Sequence, residues 1–486
     1  MNAAAPNPSD DRPTDAPRGE DRGRPRRIMA VLMTPLFMAL VAVSVINVAL
    51  PSIQHSLHAT STALQWVLSG YALAFGVLLI PAGRAGDATS RRTLFIVGVS
   101  LFTLGSALAA FAPTILLLNL ARVLQGVGSG VLNPQTVGII QRTFTGQDRA
   151  RAFALLGTTV GVSTAIGPVV GGLLIGALGE GVGWRWIFGM NVPIGILAVV
   201  GAVVWLPRGE SWRGSRPDLD PVGAGLLALT VLGLMLPFVE RTVSPFVWLA
   251  LPVAIGVGVA WVMWEDRYAR RGGEPMVRLG IFSERGFTAG ITLITVYFMG
   301  ITSVWVVVAL FVQTALGGSA LEAGLVGLPA SIFSAISSQV AGRYVLRFRR
   351  RLVVWGFLVS LLGLVSTVLL APGVGSGALP LWAMSASLSL VGAAQGMVVS
   401  PNQTLTLDGV GPEYGGVAGG ILQTGQRLGA AVGTALIPGI VFALLEAGLA
   451  WGEVVVVAMS LIAAVTTVAL VIALVDLRHE RSTRRG

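Results

Sequence analysis

Long apolar segments alternate with short polar loops along almost the whole of the 486-residue chain. A helix that crosses the hydrocarbon core of a bilayer needs about 20 consecutive apolar residues. We therefore predict an all-α integral membrane protein with fourteen transmembrane helices. Their approximate limits are 28–50, 65–83, 94–112, 114–140, 151–178, 184–206, 221–239, 245–265, 287–313, 321–343, 352–371, 379–402, 415–445 and 451–475.

The composition supports this class and excludes several others. Charged residues make up 12% of the chain and its mean hydropathy is +0.78, whereas soluble domains contain about 25% charged residues. The net charge of +10 comes from arginines in short loops and tails, so no basic domain for nucleic acid is expected. The chain has no cysteine and no phosphate-binding Gly-Lys motif, and we predict no cofactor and no metal site.

The arginines of the loops fall almost entirely on one side of the predicted helices. By the positive-inside rule this side is cytoplasmic and holds both termini, which requires an even number of spans. The opposite loops contain Arg185 and Arg241 alone. We predict a multi-pass protein of the cytoplasmic membrane that contacts the lipid bilayer and acts as a monomer.

The chain also contains a weak internal repeat. GRAGDATSRR (83–92) is echoed by GRYVLRFRRR (342–351), and QGVGSGVLNPQT (125–136) by QGMVVSPNQT (395–404). This repeat predicts two six-helix bundles separated by two inserted helices, an arrangement used by transporters. The predicted division is a disordered cytoplasmic tail, two bundles with a peripheral inserted pair and its linker between them, and a second tail: 1–27, 28–206, 207–286, 287–475 and 476–486.

Arg122 and a row of small residues in the next helix are the first candidates for function. A charge inside a membrane helix is costly and marks a functional site by default. Arg122 is interpreted either as a structural arginine bonded to backbone carbonyls and Gln125, or as part of a proton or substrate pathway. The row GVSTAIGPVVGG (161–172) allows close helix packing and predicts a bend at Pro168.

Six motifs give the chain a resemblance to a known family. In order they are NVALP (47–51), LQWVLSGYAL (64–73), PAGRAGD (81–87), RVLQGVG (122–128), GVSTAIGPVVGG (161–172) and WRWIFGMNVPIG (184–195). With these motifs the chain resembles the major facilitator superfamily, and within it the fourteen-helix drug:proton antiporters. The resemblance implies the major facilitator fold and export of small molecules by alternating access.

The resemblance also implies roles for individual residues. It implies a cytoplasmic gate at Gly83, Asp87, Arg91 and Arg92, and an antiporter helix with Gly161, Gly167, Pro168, Gly171 and Gly172. The chain departs from the family pattern at Ala42, where a helix 1 carboxylate is usual, and at Ala88, Ser90 and Leu346. The departure at Leu346 leaves Asp87 as the expected centre of the gate. The departure at Ala42 weakens the inference of proton coupling more than that of transport.

We expect an apolar cavity with a few polar anchors between the two bundles. Arg427, near the predicted cytoplasmic end of its helix, is placed where a long side chain could reach the interface. Two cations without a buried acid favour neutral or anionic amphiphiles over lipophilic cations. The predicted pathway residues are Arg122, Gln125, Asn47, Asn133, Gln135, Gln395, Gln423 and Arg427, and the predicted cavity aromatics are Trp66, Tyr71, Tyr297 and Trp305.

These observations predict a secondary active exporter of amphiphilic small molecules such as drugs, antibiotics or natural products, with proton-driven antiport as its coupling. The alternative is a transporter of lipid or of one specific metabolite that is not coupled through a helix 1 acid. A polytopic membrane enzyme is the third possibility, but the chain lacks the cluster of Asp, Glu, His or Cys near one membrane face that such an enzyme needs. No catalytic residue is predicted.

Overall fold

The structure is a computed structural model that describes residues 23–208, 218–240 and 245–483. The predicted disordered tail falls largely on residues 1–22, outside the described part of the chain. The described residues form sixteen α-helices: α1 (Arg24–Ser44), α2 (Ile46–Leu57), α3 (Ser61–Ala88), α4 (Arg91–Ala110), α5 (Ile115–Thr143), α6 (Gly146–Leu178), α7 (Glu180–Gly189), α8 (Asn191–Trp205), α9 (Pro221–Val239), α10 (Ala250–Arg270), α11 (Arg285–Leu310), α12 (Ala320–Phe348), α13 (Arg350–Gly375), α14 (Trp382–Asp408), α15 (Gly415–Glu446) and α16 (Trp451–Thr483).

Within the described residues, fourteen helical segments are long and apolar enough to cross a membrane, which confirms the predicted number of spans. The helix predicted over 28–50 is broken at Val45, so the first span is α1 and α2 follows it, whereas the sixth span consists of α7 and α8 together. The last helix continues to Thr483, beyond the predicted end at 475. Its extra turns are held because Asp476 and Glu480 form ion pairs with Arg350 and Arg349 at the start of α13.

The spans form two six-helix bundles, with α9 and α10 inserted between them in the chain. In the first bundle α5 packs on α3 and α4, and α1 packs on α6 and α8. In the second bundle α14 packs on α12 and α13, while α11 and α13 pack on α16. The bundles meet most extensively where α6 packs on α12 and α3 on α15, and α5 also contacts α15 while α6 also contacts α14. We call the side on which α1 begins and α16 ends the arginine-rich face.

The inserted helices differ in their positions. α10 packs along α9, whereas α9 also contacts α3 and α15 and therefore lies against one of the two seams between the bundles. The Met235 side chain of α9 fills the space beside Gly76 of α3, where a Cβ atom would lie 2.6 Å from its sulfur. The predicted peripheral position thus describes α10, and α9 touches both bundles.

Buried carboxylates organise the arginine-rich end of the inserted pair. Asp220 caps α9 by accepting a bond from Gly223 N (2.9 Å) and a second from Trp264 Nε1 (2.9 Å). Glu265 accepts from Trp261 Nε1 (2.7 Å). The linker after α10 packs beneath these groups, because Met276 and Val277 are 2% and 1% exposed and their amides point at the two carboxylates.

This junction also holds α3 of the first bundle. Arg84 of α3 donates to the carbonyl of Asp218 (3.1 Å) and pairs with Glu274 of the linker (2.7 Å). Partial burial raises the pKa of the Asp218 carboxyl, but bonds from the Glu274 amide and the Tyr268 hydroxyl outweigh it, so the pKa falls below its ordinary value. Asp218 is therefore ionised at neutral pH and fixes the linker beside α3.

Candidate functional site

The carboxylate of Asp87 joins the two bundles at the arginine-rich face. Its oxygens accept hydrogen bonds from the backbone amides of Gly416 (3.0 Å) and Val417 (2.8 Å), in the first turn of α15. The first amides of a helix lack intrahelical partners and attract negative charge. Asp87 thus caps a helix of the opposite bundle, which explains why an acid is suited to this position.

Arg91 completes this contact. Its guanidinium pairs with Asp87 (2.6 Å) and donates to the carbonyls of Gly138 (2.8 Å), Pro412 (2.6 Å) and Glu413 (3.0 Å). Pro412 and Glu413 precede α15, so Arg91 also binds across the seam. The cluster is nearly dry, with the side chains of Arg91 and Asp87 only 8% and 2% exposed. We call Asp87, Arg91 and the start of α15 the gate cluster.

The other two predicted gate residues have different contacts. Gly83 lies where α3 and α15 touch backbone to backbone, since a Cβ atom there would overlap the carbonyl of Gly416. Arg92 points away from the seam and donates to the carbonyls of Ala202 and Val203 at the end of α8. Arg92 therefore anchors a helix within its own bundle.

Further contacts that the sequence analysis did not single out close the same face. Gln141 of α5 donates to the carbonyls of Leu407 (2.9 Å) and Val410 (3.0 Å). Arg149 of α6 pairs with Asp408 of α14 at 2.7 Å. The crossing contacts at this face show that the bundles are closed against each other there.

The second bundle contains a counterpart of the gate cluster with a different acid. The repeat aligns Arg350 with Arg91 and Leu346 with Asp87. Arg350 forms an ion pair with Asp476 of α16 (2.5 Å) and donates a hydrogen bond to Asn402 Oδ1 (2.7 Å). The repeat in the sequence marked the arginine, but Asp476 is remote in the chain and no motif pointed to it.

The small residues of α6 pack on two different helices. A Cβ atom on Gly167 would overlap the Ser44 hydroxyl, and one on Gly171 would lie 2.7 Å from Val45, so these glycines admit the break between α1 and α2. Gly161 instead faces the backbone of α12, where a Cβ atom on it would lie 3.3 Å from the carbonyl of Ser331. Gly172 faces open space. Pro168 lies within α6, which is one continuous helix, near Gly324 of α12.

Arg122 is fully buried in the first bundle. Its Nε donates to the carbonyl of Val67 (2.9 Å) and its Nη1 to Gln125 Oε1 (2.9 Å), the two kinds of contact expected of a structural arginine. Gln125 in turn donates to Ser106 (2.7 Å). The Nη2 atom of Arg122 has no hydrogen-bond partner in the described chain.

The guanidinium of Arg122 lies over the ring of Tyr71, 4.5 Å from its centroid. The Tyr71 hydroxyl bonds to Ser129 of α5 (2.8 Å), and its ring lies 6.0 Å from that of Phe75, one turn along α3. The guanidinium of Arg427 lies over Phe75 at the same distance of 4.5 Å. Helix α3 thus presents two neighbouring rings, each covered by an arginine.

The position of Arg427 differs from the prediction. At about 1.5 Å per residue it lies roughly 18 Å along α15 from Gly415, and its guanidinium packs on Phe75 instead of reaching the interface. The side chain reaches across the seam because α15 lies against α3 at this level. Arg427 is half-buried, as is Gln423 one turn before it on the same face of α15.

The remaining predicted residues are dispersed. Asn133 donates to the Ser129 carbonyl (3.0 Å), and Gln135 to the Ala82 carbonyl (2.7 Å). Trp66 is 39% exposed. Tyr297 is fully buried inside the second bundle, with its ring 5.4 Å from that of Phe357. Two further residues, Trp305 and Gln395, are half-buried, and the side chain of Asn47 lies outside the described part of the chain.

A bundle of fourteen apolar helices in two halves, with polar contacts closing one face and charged side chains between the halves, defines a polytopic membrane transporter. The family model described as Major Facilitator Superfamily matches residues 32–264 and 290–486. The chain belongs to this superfamily, which confirms the family resemblance and the fold.

Comparisons with individual proteins agree with this assignment. The chain is 33% identical over 421 residues to the probable actinorhodin transporter of Streptomyces coelicolor, covering 86% of this chain and 72% of that one. It is 30% identical over 422 residues to the multidrug resistance protein Stp of Mycobacterium tuberculosis, covering 85% and 75%. The crystal structure of the human organic anion transporter MFSD10 superposes with a TM-score of 0.66 at 16% identity, over 92% of this chain and 99% of that one, which is a likeness of fold alone.

Proposed function

We propose that the protein is a secondary active exporter of amphiphilic small molecules that works by alternating access. The gate cluster is the observation on which this proposal rests. Asp87 binds the first turn of α15, a helix of the other bundle, through two backbone amides. These bonds exist only while the two bundles are closed at this face, so they stabilise one of the two states that alternating access requires.

The names of the relatives support the direction and the substrate class. One is a multidrug resistance protein and another a probable actinorhodin transporter. A resistance transporter lowers the internal concentration of a compound. We infer that the arginine-rich face is cytoplasmic, as the positive-inside rule predicts, and that the protein acts as a monomer in the cytoplasmic membrane. Closure of that face then corresponds to a state from which substrate leaves the cell.

Coupling to protons is the finer part of the proposal. Ala42, at the position of the usual helix 1 carboxylate, is 1% exposed, and arginine does not deprotonate in proteins. A proton carrier must therefore be a carboxylate elsewhere. A specific-metabolite or lipid transporter without coupling through helix 1 is the second candidate function, and the alanine at position 42 favours it.

A proton-release measurement separates these functions. Purified protein is reconstituted into vesicles, and release of protons on addition of rhodamine 123 or fluorescein is followed with an external glass electrode for wild type, Arg122→Ala and Ala42→Asp. Substrate-dependent proton movement by wild type supports antiport through an acid other than one in helix 1. Dye transport without proton movement, with proton movement gained in Ala42→Asp, rejects proton antiport and supports the uncoupled alternative. Failure of wild type to move either dye contradicts the export of amphiphiles.

A further inference from the structure

Two arginines from different bundles converge on one pair of aromatic rings. Arg122 on α5 belongs to the first bundle and Arg427 on α15 to the second. Each guanidinium lies 4.5 Å from the centroid of one ring, and the two rings, Tyr71 and Phe75, have centroids 6.0 Å apart.

Neither arginine has a carboxylate to balance its charge. Among the described residues, the polar side chains that contact Arg122 or Arg427 are neutral, and the rings of Tyr71 and Phe75 lie against the two guanidinium groups. Arg122 leaves its Nη2 atom without a partner although the side chain is fully buried. No hydrogen bond or ion pair from the described chain engages Arg427. A buried charge without a counter-charge is strongly unfavourable, and an aromatic face compensates only part of that cost.

The surroundings of Arg427 suit an amphiphilic anion. The side chain is half-buried, and its guanidinium lies over Phe75 of the opposite bundle. Gln423, on the same face of α15, is also half-buried and makes no hydrogen bond within the described chain. A planar guanidinium binds a carboxylate or sulfonate through two parallel N–H bonds. The rings of Tyr71 and Phe75 provide an apolar surface beside it.

We propose that the substrates are anionic amphiphiles and that Arg427 is a specificity-determining residue that binds their acidic group. Arg122, whose charge acts on the same pair of rings, adds to the positive potential of the site. This inference rests on the proposed export function and names its substrate class. It also gives a reason for binding to be linked to movement. Arg427 belongs to the second bundle and the two rings to the first, so an anion bound beside Arg427 contacts both bundles and favours the state in which they lie together.

The test uses two dyes of similar shape and opposite charge, the anion fluorescein and the cation rhodamine 123. Uptake into inside-out vesicles is measured by extraction of each dye at one fixed pH. Wild type is compared with Arg427→Gln, Arg427→Lys and the matched control Arg267→Gln, which makes the same chemical change at an exposed position. Binding of each dye to the purified proteins is measured by fluorescence polarisation, and thermal unfolding shows that the variants are folded.

We expect Arg427→Gln to raise the Kd and KM for fluorescein about tenfold or more, the effect of losing one charged hydrogen-bonding group, with rhodamine 123 changed by less than about twofold. Arg427→Lys is expected to lie between wild type and Arg427→Gln, because it keeps the charge and loses the paired N–H geometry. Arg267→Gln should match wild type for both dyes.

Three outcomes overturn parts of this reasoning separately. If wild type transports rhodamine 123 and neither binds nor transports fluorescein, the anion preference is wrong while the export function stands. An equal loss of both dyes in Arg427→Gln contradicts a role in specificity. Fluorescein binding that depends on Arg427, without transport of either dye by wild type, supports the anion site and rejects export.

Discussion

Replacing Asp87 with asparagine should open the arginine-rich face. The carboxylate accepts two amides of α15 and pairs with Arg91 in a nearly dry environment. An asparagine oxygen in the place of Oδ1 can still accept from Gly416 N and Arg91, but its NH₂ group then opposes the amide of Val417, and the negative charge that pairs with Arg91 is lost. We estimate a loss of about 2–4 kcal/mol from the closed state, from one charge-assisted bond and part of a buried ion pair. At about 1.4 kcal/mol per factor of ten, the open population should rise roughly 30-fold to 1000-fold.

The absence of native cysteine makes this prediction measurable with a single thiol. Ala418 is fully buried beside the gate cluster, so Ala418→Cys should react with a maleimide only when the bundles part. In lipid nanodiscs, where both faces are accessible, the labelling rate is proportional to the open population if opening and closing are fast. The control is Asp148→Asn, which removes an acid whose side chain is 71% exposed and paired with an exposed arginine.

The result that would refute this reasoning is a labelling rate for Asp87→Asn within about threefold of that of the Asp148→Asn control, well below the estimated change. The unfolding temperature of Asp87→Asn is measured alongside, because global loosening would also expose the thiol. A large rise in labelling together with an unfolding temperature close to that of the control identifies opening of the gate and excludes unfolding.

Three further predictions follow from the contacts. Gly167→Ala should destabilise the protein by about 1–3 kcal/mol through overpacking. Its control, Gly172→Ala, adds a methyl group in open space and should not lower the unfolding temperature, so equal effects of the two variants would contradict the packing described for α6. Asp476→Asn should lower the unfolding temperature, because loss of one partner of a buried ion pair costs about 3–5 kcal/mol. The control Asp266→Asn changes an exposed pair and should not lower it. A larger effect of Asp266→Asn would contradict the structural role of the pair between Arg350 and Asp476. Arg92→Gln should leave the labelling of the buried thiol unchanged, because its bonds stay within one bundle, and increased labelling would place it in the gate.

The sequence predicted the fold well because hydropathy acts on each segment independently. Fourteen apolar runs of sufficient length become fourteen spans whatever their neighbours are, and the arginine loops group on one face. Helix ends were less predictable where tertiary contacts decide them. The helix beginning at Trp451 continues past 475 because Asp476 and Glu480 meet arginines of another helix, and these pairs are distant in the sequence.

The candidate site was predictable in its residues but not in its partners. The motif pointed to Asp87, yet the groups that it binds are backbone amides of Gly416 and Val417, which no residue pattern reveals. The sequence places Arg427 near the cytoplasmic end of its helix, where its side chain could reach the interface, whereas the structure packs its guanidinium on Phe75 of the opposite bundle. Tyr297 has the residue type of a cavity lining, but its burial depends on which face of α11 meets Phe357.

The two halves of the repeat share an arginine, Arg91 or Arg350, but the carboxylate that pairs with it comes from a different position in each half. This difference determines which of the two ion pairs is affected when the bundles separate. Arg91 pairs with an acid one turn away on its own side, and both groups bind the start of α15 in the other bundle. Arg350 instead binds α16, α14 and the carbonyl of Gly286 in α11, all within the second bundle. Separation of the bundles must therefore break the bonds of Asp87 and Arg91 across the seam, while those of Arg350 can remain intact. With Leu346 in place of the acid, Arg350 forms a structural clamp within the second bundle. The cost of opening then falls on crossing contacts such as the gate cluster, the bonds of Gln141 to Leu407 and Val410, and the more exposed pair of Arg149 with Asp408.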